Sequence, residues 1–109
     1  MQINTGELEI THNPTENRFE TWIDGKLSKL DYLEDGDTIV MTHVGVYPDQ
    51  RGQGVAGKLT EVALEYARSL SEDVTAVYVA IDPEQEAAFR RKWTIWGGGT
   101  RLVVLESPY

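Results

Sequence analysis

Apolar and polar residues alternate along the first half of the chain, and this alternation predicts strands. Period-two spacing, rich in β-branched and aromatic residues, is typical of half-buried strands. Asp24-Gly25 is a two-residue hairpin signal, and residues 34–37 form a second turn signal. The first half is therefore predicted to be an antiparallel meander. Its four strands lie at residues 7–11, 19–23, 26–32 and 38–47.

The apolar spacing becomes helical in the second half. One apolar stripe contains Leu59, Val62, Ala63, Tyr66, Ala67 and Leu70. A buried strand is predicted over residues 74–81, and Asp82-Pro83 resembles the start of a helix that ends near Trp93. Gly97-Gly98-Gly99 predicts a turn before a last strand, residues 101–106. The order β-β-β-β-α-β-α-β predicts an α+β fold with a mixed sheet.

Composition limits the classes of function. The chain has 109 residues and a net charge of −8, so we expect one domain over residues 1–109 that binds neither nucleic acid nor an anionic membrane. With no cysteine, it has no disulfide and no thiolate metal site. His12, interpreted as a loop residue, and His43 have no metal-ligand spacing, so no metal is expected. No signal peptide or membrane span is visible, which predicts a cytoplasmic location.

The segment from Val44 to Lys58 carries the strongest functional signal. It joins a strand to a helix that has no Ser, Thr, Asp or Asn in a capping position, so the first-turn amides lack side-chain partners. Glycines allow close approach of a ligand, and the helix dipole attracts anions. Arg51 and Lys58 add local positive charge. This pattern predicts a phosphate or pyrophosphate site, although glycines that only permit a tight turn are an alternative.

Two nucleotide-binding motifs fit this segment only in part. Gly52-x-Gly54-x-x-Gly57 matches the dinucleotide fingerprint, with Asp82 as the ribose-binding acid, but that motif opens a parallel βαβ fold rather than following a meander. The same letters spell G-x-x-x-x-G-K, the phosphate loop of nucleotide hydrolases. There the next residue should be Ser or Thr to bind Mg²⁺, and here it is Leu59.

A third pattern fits better. Val44-x-Val46-x-Pro48-x-x-Arg51-Gly52-x-Gly54-x-Ala56 resembles the acyl-CoA signature of the GNAT N-acetyltransferase superfamily. The resemblance extends to small GNAT-like proteins of about 100 residues, which lack the usual paired helices after the first strand. It implies a GNAT-like, mostly antiparallel mixed sheet with two main helices. Residues 13–17 are too few to hold the paired helices.

The resemblance also implies how acetyl-CoA, a co-substrate, binds. Its pyrophosphate is expected on the loop and helix amides, and its pantetheine arm along the strand before the loop. That strand is expected to splay from the strand at residues 74–81, with the thioester in the gap. The implied binding residues are Val44, Val46, Arg51, Gly52, Gln53, Gly54, Val55, Ala56, Gly57 and Lys58.

The catalytic residues implied by the resemblance are His43 and Tyr78. His43 is suited to act as a base at neutral pH, and strand alternation places it on one face with Met41 and Gly45. Tyr78 is suited to protonate the leaving thiolate. A structural histidine and a packing tyrosine are the alternatives. Gly45 replaces the Glu often found in the small proteins, and the Cys that often precedes the tyrosine is absent, as is the helix Tyr of other GNAT enzymes.

We therefore expect an N-acetyltransferase that moves an acetyl group from acetyl-CoA to an amine by direct attack. The net negative charge of the chain favours a cationic acceptor. The alternative is a GNAT-fold module that binds acyl-CoA or a protein partner and has weak or no catalysis. We expect a monomer or a weak homodimer, because the last strand could pair between subunits if it lies at a sheet edge.

Overall fold

Six strands and two α-helices make up the fold. The computed structural model describes residues 3–80, 83–96 and 100–106. In chain order the elements are β1 Thr11–Asn13, β2 Arg18–Ile23, β3 Lys26–Asp35, β4 Thr38–Gly45, α1 Val55–Leu70, β5 Thr75–Ala80, α2 Pro83–Trp96 and β6 Arg101–Glu106. Short 3-10 turns at Thr5–Glu7 and Pro48–Gln50 precede β1 and α1.

All six strands form one sheet in sequence order. Strands β1 to β4 are antiparallel neighbours, whereas β4, β5 and β6 run parallel. Parallel neighbours need a crossover, and α1 and α2 supply the two crossovers. The predicted α+β class, with a mostly antiparallel sheet and two main helices, is confirmed. Only residues 14–17 separate β1 from β2, so no paired helices lie there.

The first strand is shorter and later than predicted. Residues 7–10 are not in a strand. Leu8 and Ile10 pack against the core without strand pairing, and this packing explains their alternation with polar residues. The interpretation of His12 as a loop residue was wrong. It lies in β1, opposite Phe19, with the two rings stacked at 4.3 Å between centroids.

The second half follows the predicted order closely. Helix α1 begins at Val55 and ends at Leu70, and β6 has the predicted bounds. Helix α2 continues three residues beyond the predicted end, to Trp96. The predicted cap at Asp82 and the turn at residues 97–99 lie outside the described residues.

The core lies between the sheet and α1. Buried side chains from the strands include Phe19, Leu30 and Met41, and they meet Leu59 and Ala63 of the predicted helical stripe. Each large apolar side chain buried in this way contributes about 1.5–3 kcal/mol.

Helix α2 packs beside α1 on the same face of the sheet. Its Phe89 stacks on Tyr78 of β5 at 4.0 Å between ring centroids. Neither helix, in the part of the chain that is described, has the length and apolar character needed to cross a bilayer.

Candidate functional site

Strands β4 and β5 separate at the end that leads into the glycine loop. Their pairing runs from Thr38 opposite Thr75 to Met41 opposite Tyr78. Beyond this point β4 continues to Gly45 and β5 to Ala80. The splay implied by the resemblance is present, and it leaves one side of the upper half of β4 open.

A β-bulge at Thr42 marks the point of separation. Met41 pairs with Tyr32 and His43 with Asp31, so Thr42 has no partner in the register. The Thr42 hydroxyl donates to the main-chain oxygen of Asp31 at 3.4 Å. Bulges bend a strand and increase its twist, which accounts for the departure of β4 from β5 at this residue.

The bulge also changes which face His43 occupies. Tyr32 and Asp31 are consecutive residues of β3, so their partners Met41 and His43 point to opposite faces. Met41 is buried under α1, whereas the His43 side chain is 52% exposed. The expectation that His43 shares a face with Met41 was therefore wrong. It does share a face with Gly45, where an added Cβ would lie 3.0 Å from the imidazole Cε1.

A cavity of about 240 Å³ opens between the splayed strands, the glycine loop and the two helices. Nine residues singled out from the sequence line it: Val44, Val46, Arg51, Gly52, Gly54, Val55, Ala56, Gly57 and Tyr78. Three further lining residues were not anticipated: Gln50, Phe89 and Lys92. His43, Gln53 and Lys58 are not among the lining residues.

The start of α1 has no side-chain cap, as predicted. Gly54 is the N-cap residue, with φ of 87°, and no side chain accepts from the first-turn amides. The first helical hydrogen bond there runs from the Lys58 amide to the Gly54 oxygen, at 2.9 Å. The amides of residues 55–57 precede this bond and point out of the helix end, where the dipole is positive.

Two cations flank this helix start. The Arg51 Nε donates to the Val46 oxygen at 3.0 Å, which holds the guanidinium beside the cavity. Lys92 lines the cavity from α2. In a chain of net charge −8, this pair makes the cavity mouth locally favourable for an anion.

Polar contacts attach the glycine loop to the β2–β3 hairpin. The fully buried Gln50 donates from Nε2 to the Ile23 oxygen at 3.0 Å, and its Oε1 accepts from Ser28 at 3.5 Å. Nearby, Lys26 and Asp49 form an ion pair of 2.8 Å. This contact raises the pKa of Lys26 and lowers the pKa of Asp49. The buried Gln50 amide and the exposed Lys26–Asp49 ion pair thus hold the glycine loop against the hairpin.

The Gln53 side chain, expected to bind the cofactor, does not line the cavity. Its Oε1 accepts from the Ile3 amide at 2.8 Å, so the side chain is turned toward the N-terminal segment. An added Cβ at Gly54 would lie 3.3 Å from the Thr5 methyl group. The N-terminal segment therefore packs against the outer side of the loop.

The two candidate catalytic residues lie on opposite faces of the sheet, beside the same gap. His43 Nδ1 is 3.9 Å from Asp31 Oδ2, and this carboxylate also pairs with Arg18 and Lys29, each at 3.2 Å. Tyr78 is 8% exposed and lines the cavity. The exposed imidazole of His43 and its contact with Asp31 fit both a general base and a structural histidine. Tyr78 is both a packing residue, through Phe89, and a wall of the cavity.

Comparison with models of known families gives two overlapping matches. Residues 18–79 match the family model described as GCN5-related N-acetyl-transferase. Residues 55–109 match the model of the KimA potassium transporter C-terminal domain. The chain is also 47% identical over 57 residues to the potassium transporter KimA of Bacillus subtilis (strain 168). That match covers 50% of this chain and 9% of the transporter, so the chain spans a small part of this relative's length.

Proposed function

Because the chain belongs to the GCN5-related N-acetyl-transferase family, we propose that it binds acetyl-CoA at the glycine loop and transfers the acetyl group to an amine. The observation that carries the proposal is the splay of β4 from β5 beside an uncapped helix start. The splay supplies a slot for an extended thioester arm, and the helix start supplies donors for a pyrophosphate.

The residues around the cavity suit the parts of acetyl-CoA. The amides of residues 55–57, with Arg51 and Lys92, would hold the pyrophosphate. The edge of β4 around Val44 and Val46 would pair with the pantetheine arm. Pockets that enclose a drug-sized ligand measure about 300–1,000 Å³. A cavity of about 240 Å³ therefore suits an inserted arm rather than an enclosed dinucleotide.

The acceptor amine would approach from the opposite face of the sheet. His43 would take a proton from the amine, whose nitrogen then attacks the thioester carbonyl carbon. The C–S bond breaks, and Tyr78 would give a proton to the departing sulfur. Direct attack is favoured because the chain has no cysteine to carry the acyl group. The net charge of −8 favours a cationic acceptor.

A second candidate is an acyl-CoA-binding module with weak or no catalysis. The match of residues 55–109 to a potassium transporter's C-terminal domain favours it, since this stretch contains α1, Tyr78, Phe89 and Lys92. In that case the chain binds its ligand and transmits the occupied state to a partner. The exposed position of His43 and the glycine at position 45 are compatible with this candidate.

Calorimetric titration of acetyl-CoA into wild type and Gly54→Asp tests the shared binding step. We expect a dissociation constant on the order of micromolar for wild type and at least about 100-fold weaker binding in the variant. The substitution places a carboxylate at the helix start and a side chain at φ of 87°. Gly36→Asp is the matched control, because Gly36 also has positive φ but lies in the β3–β4 turn, where an added Cβ meets no atom within 4 Å.

The outcomes separate the candidates. Equal loss of affinity in both variants would remove the glycine loop as the binding site. No binding to wild type would remove acetyl-CoA from the proposal. If binding is loop-specific, release of free CoA with an amine panel supports the enzyme. Binding without CoA release on any amine supports the module.

A further inference from the structure

The face of the sheet opposite the two helices carries a continuous apolar row. Successive register pairs place Leu33 beside Val40, Val40 beside Val77, and Val77 beside Val103. The row thus crosses β3, β4, β5 and β6 in one line. Leu33 is 53% exposed and Val103 38%. Leu105 and Trp22 lie on the same face and are also exposed.

This row is not part of the core already described. The buried residues of the same strands, such as Tyr32, Ile39 and Ala76, alternate with it and point toward α1. Both helices use that other face, since α1 packs on β2, β3 and β4 and α2 packs beside it. An antiparallel sheet with one wet face normally alternates apolar and polar residues. Here four neighbouring strands, β3 to β6, each also place an apolar residue on the second face, and an exposed apolar row of this kind is typical of an interaction surface.

We propose that this face packs against the same face of a second copy of the chain, forming a two-fold symmetric dimer. Sheets pack face to face about 10 Å apart, with their inner side chains interleaved. A two-fold axis near the Val40–Val77 pair places each apolar row against its counterpart.

Charge favours a second copy as the occupant. The described strand residues on this face carry three cations and three anions, which cancel: Arg18, Lys29 and Arg101, and Glu20, Asp31 and Asp35. The whole chain has a net charge of −8, so the excess negative charge lies elsewhere. Two copies therefore repel least when these faces meet.

The size of the face is consistent with a modest dimer. Six strands about 4.8 Å apart and about 20 Å long cover roughly 500–600 Å² before side-chain relief is counted. Specific interfaces bury about 800 Å² on each partner. The face is smaller than this, so we expect a weak dimer centred on the apolar row, and His43, beyond the bulge, lies at the rim and stays accessible to an acceptor.

Sedimentation velocity of the full chain over a range of concentrations tests the proposal. We expect wild type to dimerise reversibly, and Leu33→Lys to weaken association by at least about 100-fold, because the symmetric interface buries the new charge twice. Leu33 is half exposed in one chain, so the variant should fold, which circular dichroism checks. Leu70→Lys is the control, with the same charge change at a leucine of similar exposure, 59%, at the end of α1.

Each outcome decides the proposal. Dimers of wild type and Leu70→Lys with a monomeric Leu33→Lys support it. A wild type that is monomeric at all concentrations would overturn it. So would a dimer that survives Leu33→Lys, because Leu33 lies in β3, three strands from the β6 edge, and such a dimer would use that edge or another surface.

Discussion

The two ends of strand β4 differ in what surrounds them. At the closed end, Ile39 and Met41 are buried and pair with β3 on one side and β5 on the other. The Thr75 amide also donates to the Asp37 oxygen at 3.0 Å, which fixes the start of β5. At the open end, residues 43–45 pair with β3 only, and the other side faces the gap.

The same strand thus has a stabilising half and a proposed binding half, with the bulge at Thr42 between them. The closed end derives its stability from apolar burial. The open end is fixed through the loop that follows it, by the buried amide of Gln50. Polar anchoring is suited to a site that must keep backbone groups available for a ligand. The difference predicts that stability and ligand binding respond to different substitutions within a few residues.

The largest expected effect is on the closed end. Met41→Ala should lower the free energy of unfolding by about 2–5 kcal/mol, since it removes a buried side chain and leaves a cavity. Acetyl-CoA affinity of the molecules that remain folded should be unchanged. Urea unfolding and calorimetry measure the two quantities.

Val44→Ala is the matched substitution at the open end. It should cost less stability, because Val44 is only partly buried, but weaken acetyl-CoA binding, because Val44 lines the cavity. If Met41→Ala weakened binding as strongly as Val44→Ala does, the two halves of β4 would not be functionally distinct.

The next effect concerns catalysis at the open end. If the chain is an acetyltransferase, His43→Ala should lower turnover by on the order of 10²-fold at saturating acetyl-CoA, the contribution of a general base. His12→Gln is the control, because His12 lies on the opposite face against Phe19 and should leave turnover unchanged per folded molecule. Turnover that is independent of His43 would assign the base to another group.

The sequence predicted the parts of the site that depend on local chemistry. The uncapped helix start follows from residues 50–58 alone, because capping needs a side chain at one position. The order of strands and helices followed from changes in apolar period. Val44, Arg51 and Tyr78 were placed by the motif and its resemblance, and the cavity includes all three.

The remaining features depend on register and tertiary packing. A bulge has no residue signature within the β-branched stretch at residues 38–44, so the face of His43 was predicted incorrectly. Gln50 and Lys92 reach the cavity from a 3-10 turn and from α2, and no spacing rule connects them to the glycines. The apolar row on the second face is likewise formed by pairing four strands that are distant in sequence.

The smallest expected effect lies at the closed end and depends on pH. The Tyr66 hydroxyl of α1 donates to the Glu34 carboxylate at the end of β3. This hydrogen bond, together with burial, raises the pKa of Tyr66 above its ordinary value of 10. Its contribution to stability is therefore complete below about pH 10 and is lost as the pH rises toward the folded-state pKa.

Tyr66→Phe should accordingly be less stable than wild type by about 0.5 kcal/mol at pH 8, a low value because the bond is exposed. Above about pH 10 the difference should shrink. The Tyr66 phenol then ionises in unfolded wild type, which favours unfolding, and the variant has no phenol at this position. Burial raises the pKa of Tyr32 as well, so some alkaline sensitivity should remain in the variant. Urea unfolding at pH 8, 10 and 11 measures these differences. Acetyl-CoA affinity should be equal in both proteins at pH 8, since Tyr66 lies far from the open end; a loss of affinity there would mean that the two ends of β4 are coupled through α1.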